Sequence, residues 1–202
     1  SRVAYLNDWT NDHHPSPTHD TLGHGTINTS IALAFNNKTG RAFTDANGYA
    51  YRLSSAPFAR IRISKLFEDI DLNGNGGGFV VPSFTAYIAA AYQGGARISS
   101  NSWGSSCDFG CNSYTDDSTI YDNLVRDADP FNSDDQGMTI LFAAGNDGDI
   151  NEPSVVAPGT AKNVISVGLS ENVRTGAGET DGCGVGSNGA DNAQDVVFFS
   201  GY

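Results

Sequence analysis

No apolar run in this sequence approaches the roughly 20 residues that a membrane-spanning helix needs. Basic residues are scarce: 11 Lys and Arg stand against 23 Asp and Glu, a formal charge of -12. Such a surface repels nucleic acid and anionic membranes, and neither is expected as a partner. Cysteine is nearly absent. Three residues, Cys107, Cys111 and Cys183, leave an odd thiol. Cys107 and Cys111 flank Asp108-Phe109-Gly110 and can close a small loop in an oxidising compartment, so they are expected to pair and Cys183 to stay unpaired within the chain. There is no His-Glu-x-x-His. All four histidines (His13, His14, His19, His24) crowd into one stretch with Asp12 and Asp20, but their spacing is irregular, so zinc is the weaker reading and no metal site is expected. The chain opens at Ser1 with no signal-like apolar stretch behind it, and closes on VVFFSGY in a strand-like run; both ends read as cut.

What is present is a globular composition, 39% hydrophobic over 202 residues, enough for one domain with a core. Short apolar, β-branched runs predict strands at 3–6, 59–67, 96–103, 138–144, 163–169 and 195–200, several of them apolar enough for burial on both faces of a parallel sheet. Between them, residues 82–92 carry Phe84, Ile88, Ala91 and Tyr92 at helical spacing, with Pro82 near the start and Gly94-Gly95 at the stop. Residues 118–128 repeat the pattern with Ile120, Leu124, Val125 and Ala128. Alternation of strands and helices predicts an α/β layered domain, and ligands of such sheets gather outside the carboxyl ends of the strands. The loops with unusual chemistry there are SNSWGSS and AAGNDG.

His24 lies between two glycines at the start of a predicted helix. An imidazole is the usual base for activating a hydroxyl, and flanking glycines leave room for a substrate; a helix-start histidine between turn glycines is the bland alternative. Asn146 ends the strand TILFAAGNDG, where an amide can donate to a developing oxyanion, although Asn-Asp-Gly is also a common turn. Ser102-Trp103-Gly104 and Gly76-Gly77-Gly78-Phe79 offer glycine-rich extended backbone that can pair with a peptide by strand addition, against an ordinary loop. The run DLNGNG (71–76) matches the first six positions of a calcium loop, but Pro82 stands where the bidentate Glu belongs. A Gly-rich turn is favoured, structural calcium is the weaker reading, and no cofactor is required.

Together these segments resemble the subtilisin-like serine peptidases. DTLGHGT resembles the family's histidine motif, SAPFARIRISKL the strand before the substrate edge, and ARISSNSWG the substrate-binding strand. ILFAAGNDG resembles the oxyanion-asparagine strand and APGTAKNVISVG the segment after it; all run in family order. The resemblance implies a three-layer α/β fold with a mostly parallel central sheet, incomplete at both ends, in a single partial catalytic domain over 1–202. It implies that His24 is the general base, that Asn146 holds the oxyanion, and that Ser102, Trp103, Gly104, Ala143, Ala144 and Gly145 line the pocket. Gly76, Gly77, Gly78 and Phe79 would form the opposite edge, and Val156 the pocket floor, favouring an apolar residue before the cleaved bond. It further implies a cis Ala157-Pro158 bond. The reading is a secreted, monomeric serine endopeptidase acting on polypeptides through an acyl-enzyme.

Departures from the pattern qualify it. Ile27-Asn28-Thr29-Ser30 follow the histidine motif where a second histidine and small apolar residues are usual, and a polar Asn28 on a helix expected to be buried needs a partner. Asp8 does not stand in the family's Asp-Ser/Thr-Gly setting, Asp20 belongs to the histidine motif itself, and Ser200 is a poor substitute for the nucleophile of an absent Gly-Thr-Ser. The chain alone is therefore expected to be inactive. A non-catalytic peptide-binding relative is the alternative, and a metal-dependent hydrolase a weaker one.

Overall fold

The computed structural model describes residues 2–11, 19–44, 48–51, 53–69, 77–81, 83–109, 111–150, 153–171 and 194–202. The chain divides into two compact units, Ser1–Ala96 and Arg97–Tyr202. The expected mixed α/β class with parallel strands is observed in both.

In the first unit, β1 (Val3–Asp8) pairs in parallel with β2 (Ile61–Lys65), with an irregularity between Val3 and Tyr5. Asp8 closes β1: its Oδ1 accepts the amide of Thr10 at 2.8 Å and the Thr10 hydroxyl at 2.6 Å, a turn role. Helix α2 (Phe84–Gln93) begins where Ser83 Oγ accepts the Ala86 amide. It buries Tyr87, Ile88 and Ala89, and the Tyr87 ring packs edge-on against Trp9 and Phe84. Its end is written in the sequence. Gly95 adopts φ 98°, its amide donates to Tyr92 O and the Ala96 amide to Ala91 O, the paired bonds of a Schellman stop.

Helix α1 (His24–Leu33) departs from expectation: none of its residues is buried. Leu22, Ile27 and Ile31 are each more than half exposed, so Asn28 sits on an accessible helix and not in a core. Its Nδ2 donates to His24 O at 2.9 Å, one turn back, which satisfies the amide locally.

In the second unit, β3 (Ile98–Asn101), β4 (Thr139–Ala143) and β5 (Ile165–Val167) form a parallel sheet with β4 central. Burial is one-sided: Ile140 and Phe142 of β4 are buried, whereas β5 is exposed throughout, contrary to the two-face burial expected from its apolar run. Helix α3 (Asp116–Arg126) packs on β4, where the Tyr121 and Phe142 rings meet edge-on at 4.7 Å. It starts two residues before the predicted position because Thr115 and Ser118 form a reciprocal capping box, with Asp116 and Asp117 at the positive end of the helix dipole. Burial pushes the Asp117 carboxyl above its ordinary value, and the neighbouring Asp116 adds to the rise.

The strand expected at 195–200 is not formed. Val196 makes one antiparallel bridge with Ser170, after which the chain turns, the Ser200 amide donating to Val197 O. The physical reason is Ser200: its buried hydroxyl accepts the Leu169 amide at 2.9 Å and draws the segment back on itself.

Candidate active site

In the first unit, His24 is the first residue of α1 and is exposed. Gly23, before it, has φ 74°, a conformation that a side chain disfavours, and supplies no side-chain cap. Asp20 supplies the cap. Its Oδ1 accepts the Gly23 amide, and its Oδ2 accepts both the amide and the hydroxyl of Thr26, all at 2.8 Å. Burial pushes the Asp20 carboxyl up, but the bonds from Thr26 and Gly23 and the nearby His24 outweigh it and hold the group below its ordinary 3.8. Asp20 thus fixes the turn that presents the imidazole and does not orient the ring. The His24 nitrogens lie 3.5 Å (Nδ1) and 3.3 Å (Nε2) from Asn28 Nδ2. A donor nearly equidistant from both nitrogens is off both lone-pair directions, which diverge in the ring plane, so the strong Asn28 bond is the one to the backbone.

The neighbouring histidine is engaged elsewhere. His19 Nδ1 lies 3.0 Å from Asp69 Oδ2, which also takes Lys65 Nζ at 3.0 Å. Among the described residues no group of three or more His, Cys, Asp or Glu could hold a metal. His13, His14 and Asp12, the stretch 71–76 with Gly76, Pro82 and Cys183 lie outside the described residues. Of the proposed substrate edge, Gly77 has φ 75° and Gly78-Phe79-Val80 run antiparallel to Leu66-Phe67-Glu68 through the Glu68 amide to Gly78 O and the Val80 amide to Leu66 O. The Phe79 ring lies between Phe67 and Phe84, at 5.1 and 5.9 Å.

The second unit brings three predicted segments together. Gly104, Gly145 and Val156 meet: a methyl added to Gly104 would come within 2.8 Å of Val156 Cγ2, and one on Gly145 within 3.0 and 3.1 Å of its two methyls. Val156 is buried and fills the space between the segments 102–104 and 143–145. Trp103 points its ring into the aromatic group, edge-on to Phe142 at 5.1 Å and Tyr121 at 6.2 Å, so only its backbone is placed to serve a groove. Ala144 is buried, its amide donating to Val167 O and its carbonyl accepting the Val156 amide. Exposed Asn146 follows at the carboxyl end of β4, after Gly145 at φ 111°.

The Val156 segment is tied on several sides. Ser105 and Asn112 donate their amides to Ala157 O and Val155 O. Thr160 Oγ1 bonds Ser118 Oγ and Ser113 O, and buried Asp122 accepts the Asn163 amide and the Tyr114 hydroxyl. The Ala157-Pro158 bond is cis and Cys107 is bonded to Cys111, both as expected. Ser200 is buried, its Oγ bonded to the Leu169 amide, so it is not presented as a nucleophile.

Two roles are not anticipated from the sequence: the capping by Asp20, there assigned only to the histidine motif, and the tie made by Asp147. Asp20 carries a legible signal, an Asp three residues before a turn glycine at a helix start. Asp147 accepts the Cys107 amide on its Oδ2 at 3.2 Å across 40 positions, and nothing local announces that.

No curated protein matches the chain. Among solved structures it is similar to that of the prenylagaramide maturation protease PagA, at 19% identity and a TM-score of 0.45, over 99% of this chain and 57% of that one. The chain therefore spans 57% of that protein's length. The subtilase family model matches residues 1–202, from the first residue to the last, and on that ground the chain belongs to the subtilase family.

Proposed function

We propose that this chain is the base-bearing and oxyanion-bearing part of a secreted serine endopeptidase that cleaves polypeptides through an acyl-enzyme. The observation that carries the reading is the subtilase match over the whole chain, in which His24 opens α1 and Asn146 follows β4. His24 takes the proton from the attacking serine hydroxyl and returns it to the leaving amine. Asn146 donates to the oxyanion that forms as the carbonyl becomes tetrahedral. The backbone of 102–104 grips the substrate by strand pairing, and buried Val156 favours an apolar side chain before the scissile bond. The Cys107–Cys111 disulfide fits an oxidising, extracellular setting.

On this reading the nucleophile comes from sequence outside these 202 residues, because no Gly-Thr-Ser occurs here and Ser200 is buried, and so does the aspartate partner of His24, because Asp8 and Asp20 each hold their own turn. The chain alone binds peptides and does not cleave them. The test is hydrolysis of fluorogenic peptides by the purified chain, with and without a serine-directed phosphonate. Inhibitor-sensitive cleavage by these residues alone would overturn this assignment of parts. Peptide binding that persists without cleavage when the natural flanking sequence is restored would favour a non-catalytic peptide-binding relative.

A further inference from the structure

Among the described residues no hydrogen bond holds the Asn146 side chain, so its direction follows from the turn that carries it. Among the described residues that turn is tied at three points. Gly145 O accepts the Gly201 amide, the Gly148 amide donates to Phe199 O, and Asp147 Oδ2 accepts the Cys107 amide at 3.2 Å. The third tie alone is made by a side chain, and it sits on the residue next to Asn146. Its partner is the first residue of the short helix Cys107–Phe109, in a loop whose ends are pinned by the Ser105 and Asn112 amides to Ala157 O and Val155 O. Between those pins the loop is closed by the Cys107–Cys111 disulfide, with Cα atoms 4.5 Å apart.

We propose that Asp147 is a positioning residue for Asn146. Its carboxylate clamps the amide-bearing turn onto the Cys107–Cys111 loop, and opening that disulfide releases the clamp. The inference rests on the reading of Asn146 as the oxyanion donor. The bond from the Cys107 amide, 3.2 Å long, is an ordinary one that depends on where that amide points. The cross-link limits where the Cys107 amide can point. Reduction removes that limit and does a second thing. Cys107 Sγ lies 3.9 Å from Ser154 O, and a disulfide sulfur has no proton to give. A thiol does, so the reduced residue gains a weak bond to Ser154 O in exchange for the cross-link that had fixed its amide. The reductant is a dithiol: one thiolate attacks a sulfur of the pair and breaks the S–S bond, and the second resolves the mixed disulfide. Two electrons and two protons pass to Cys107 and Cys111, and the dithiol leaves as its own cyclic disulfide.

The test is amide hydrogen exchange and amide spectra of the 15N-labelled 202-residue chain, which read the clamp whether or not the protein cleaves peptides. In Asp147→Ala, protection of the Cys107 amide falls about tenfold and the Asn146 backbone amide broadens, while amides of β4 keep their rates. Asp147→Asn, which retains an acceptor oxygen, restores Cys107 protection to within about threefold of wild type. Treating the wild-type chain with dithiothreitol, or replacing both cysteines (Cys107→Ser with Cys111→Ser), reproduces the Asp147→Ala signature, and the change is not compounded when Asp147→Ala is added. Unchanged Cys107 and Asn146 amides in Asp147→Ala overturn the clamp, as does failure of Asp147→Asn to restore protection. Wild-type amides indifferent to reduction overturn the redox link. Should Asp147→Ala not fold, the Asn variant and the reduced wild type decide the matter.

Discussion

Gly145→Ala is the perturbation that weighs the packing of the candidate pocket. Two costs fall on it. The backbone at Gly145 has φ 111°, which disfavours any Cβ by at least about 1–2 kcal/mol. The new methyl would also lie 3.0 and 3.1 Å from the two Val156 methyls, and overpacking of that kind costs about 1–3 kcal/mol. The third neighbour, Ser154 O at 3.5 Å, is an ordinary contact and adds nothing. The single variant should therefore lose about 2–5 kcal/mol. Val156→Ala alone removes two buried methyls, about 1.6 kcal/mol of transfer energy, plus a cavity, for about 2–3 kcal/mol in all. In the Val156→Ala background Gly145→Ala meets no methyls and pays only the backbone cost, so the double variant should be about 1–3 kcal/mol more stable than the sum of the singles. Urea unfolding read from Trp103 in a Trp9→Phe background reports the second unit, because the Trp103 ring packs on Phe142. Additivity of the two costs to within about 0.5 kcal/mol would refute the claim that Val156 fills the space beside Gly145.

Asp20→Ala should destabilise the first unit by about 1 kcal/mol, the typical loss of a helix cap, in denaturant melts that monitor α1. Because the folded Asp20 carboxyl is held below 3.8, its contribution is present above that value and is lost as the pH falls through the lower folded value. Asp20→Asn should flatten this acid limb of the stability curve. Ser200→Ala leaves the Leu169 amide without its acceptor and should cost about 1–3 kcal/mol in thermal melts, yet leave phosphonate labelling of a peptidase-competent chain unchanged. Asn146→Ala in such a chain should lower kcat far more than it raises KM, by about 10²–10³-fold as in subtilisin itself, the reference case for this residue. A rise in KM alone would make Asn146 a binding or turn residue.

The strands and helices that form were legible because their signals are local. TILFA is apolar after Thr139 and becomes the central strand of its sheet, and Gly94-Gly95 stops α2 through bonds within one turn. What was misread depends on distant partners. VVFF has the β-branched and aromatic content of a strand, but the Leu169 amide captures Ser200, 31 positions away, and the chain turns. The buried face of α3 includes Ser118 and Asp122, polar residues that a search for apolar spacing passes over, because Thr160 and the Asn163 amide satisfy them from 42 and 41 positions away. His24 and Asn146 are legible as candidates from flanking glycines and a strand end. Val156 against Gly104 and Gly145 is a matter of close approach, for which small residues hint at the space but not the neighbour. Asp147 lies adjacent to Asn146 and still escaped, since its partner is a backbone amide that carries no sequence signal at all.

Peptide turnover after the natural flanking sequence is restored decides whether His24 serves as the base of a serine peptidase whose nucleophile lies outside these residues. The measurement compares that chain with its His24→Ala variant on a fluorogenic peptide, beside the 202-residue chain alone. Phosphonate-sensitive cleavage is expected from the restored wild type and none from the 202 residues. His24→Ala should lower turnover by about 10⁶-fold, the size seen in subtilisin itself, the reference case for this loss. Equal turnover by the restored wild type and His24→Ala would contradict that role.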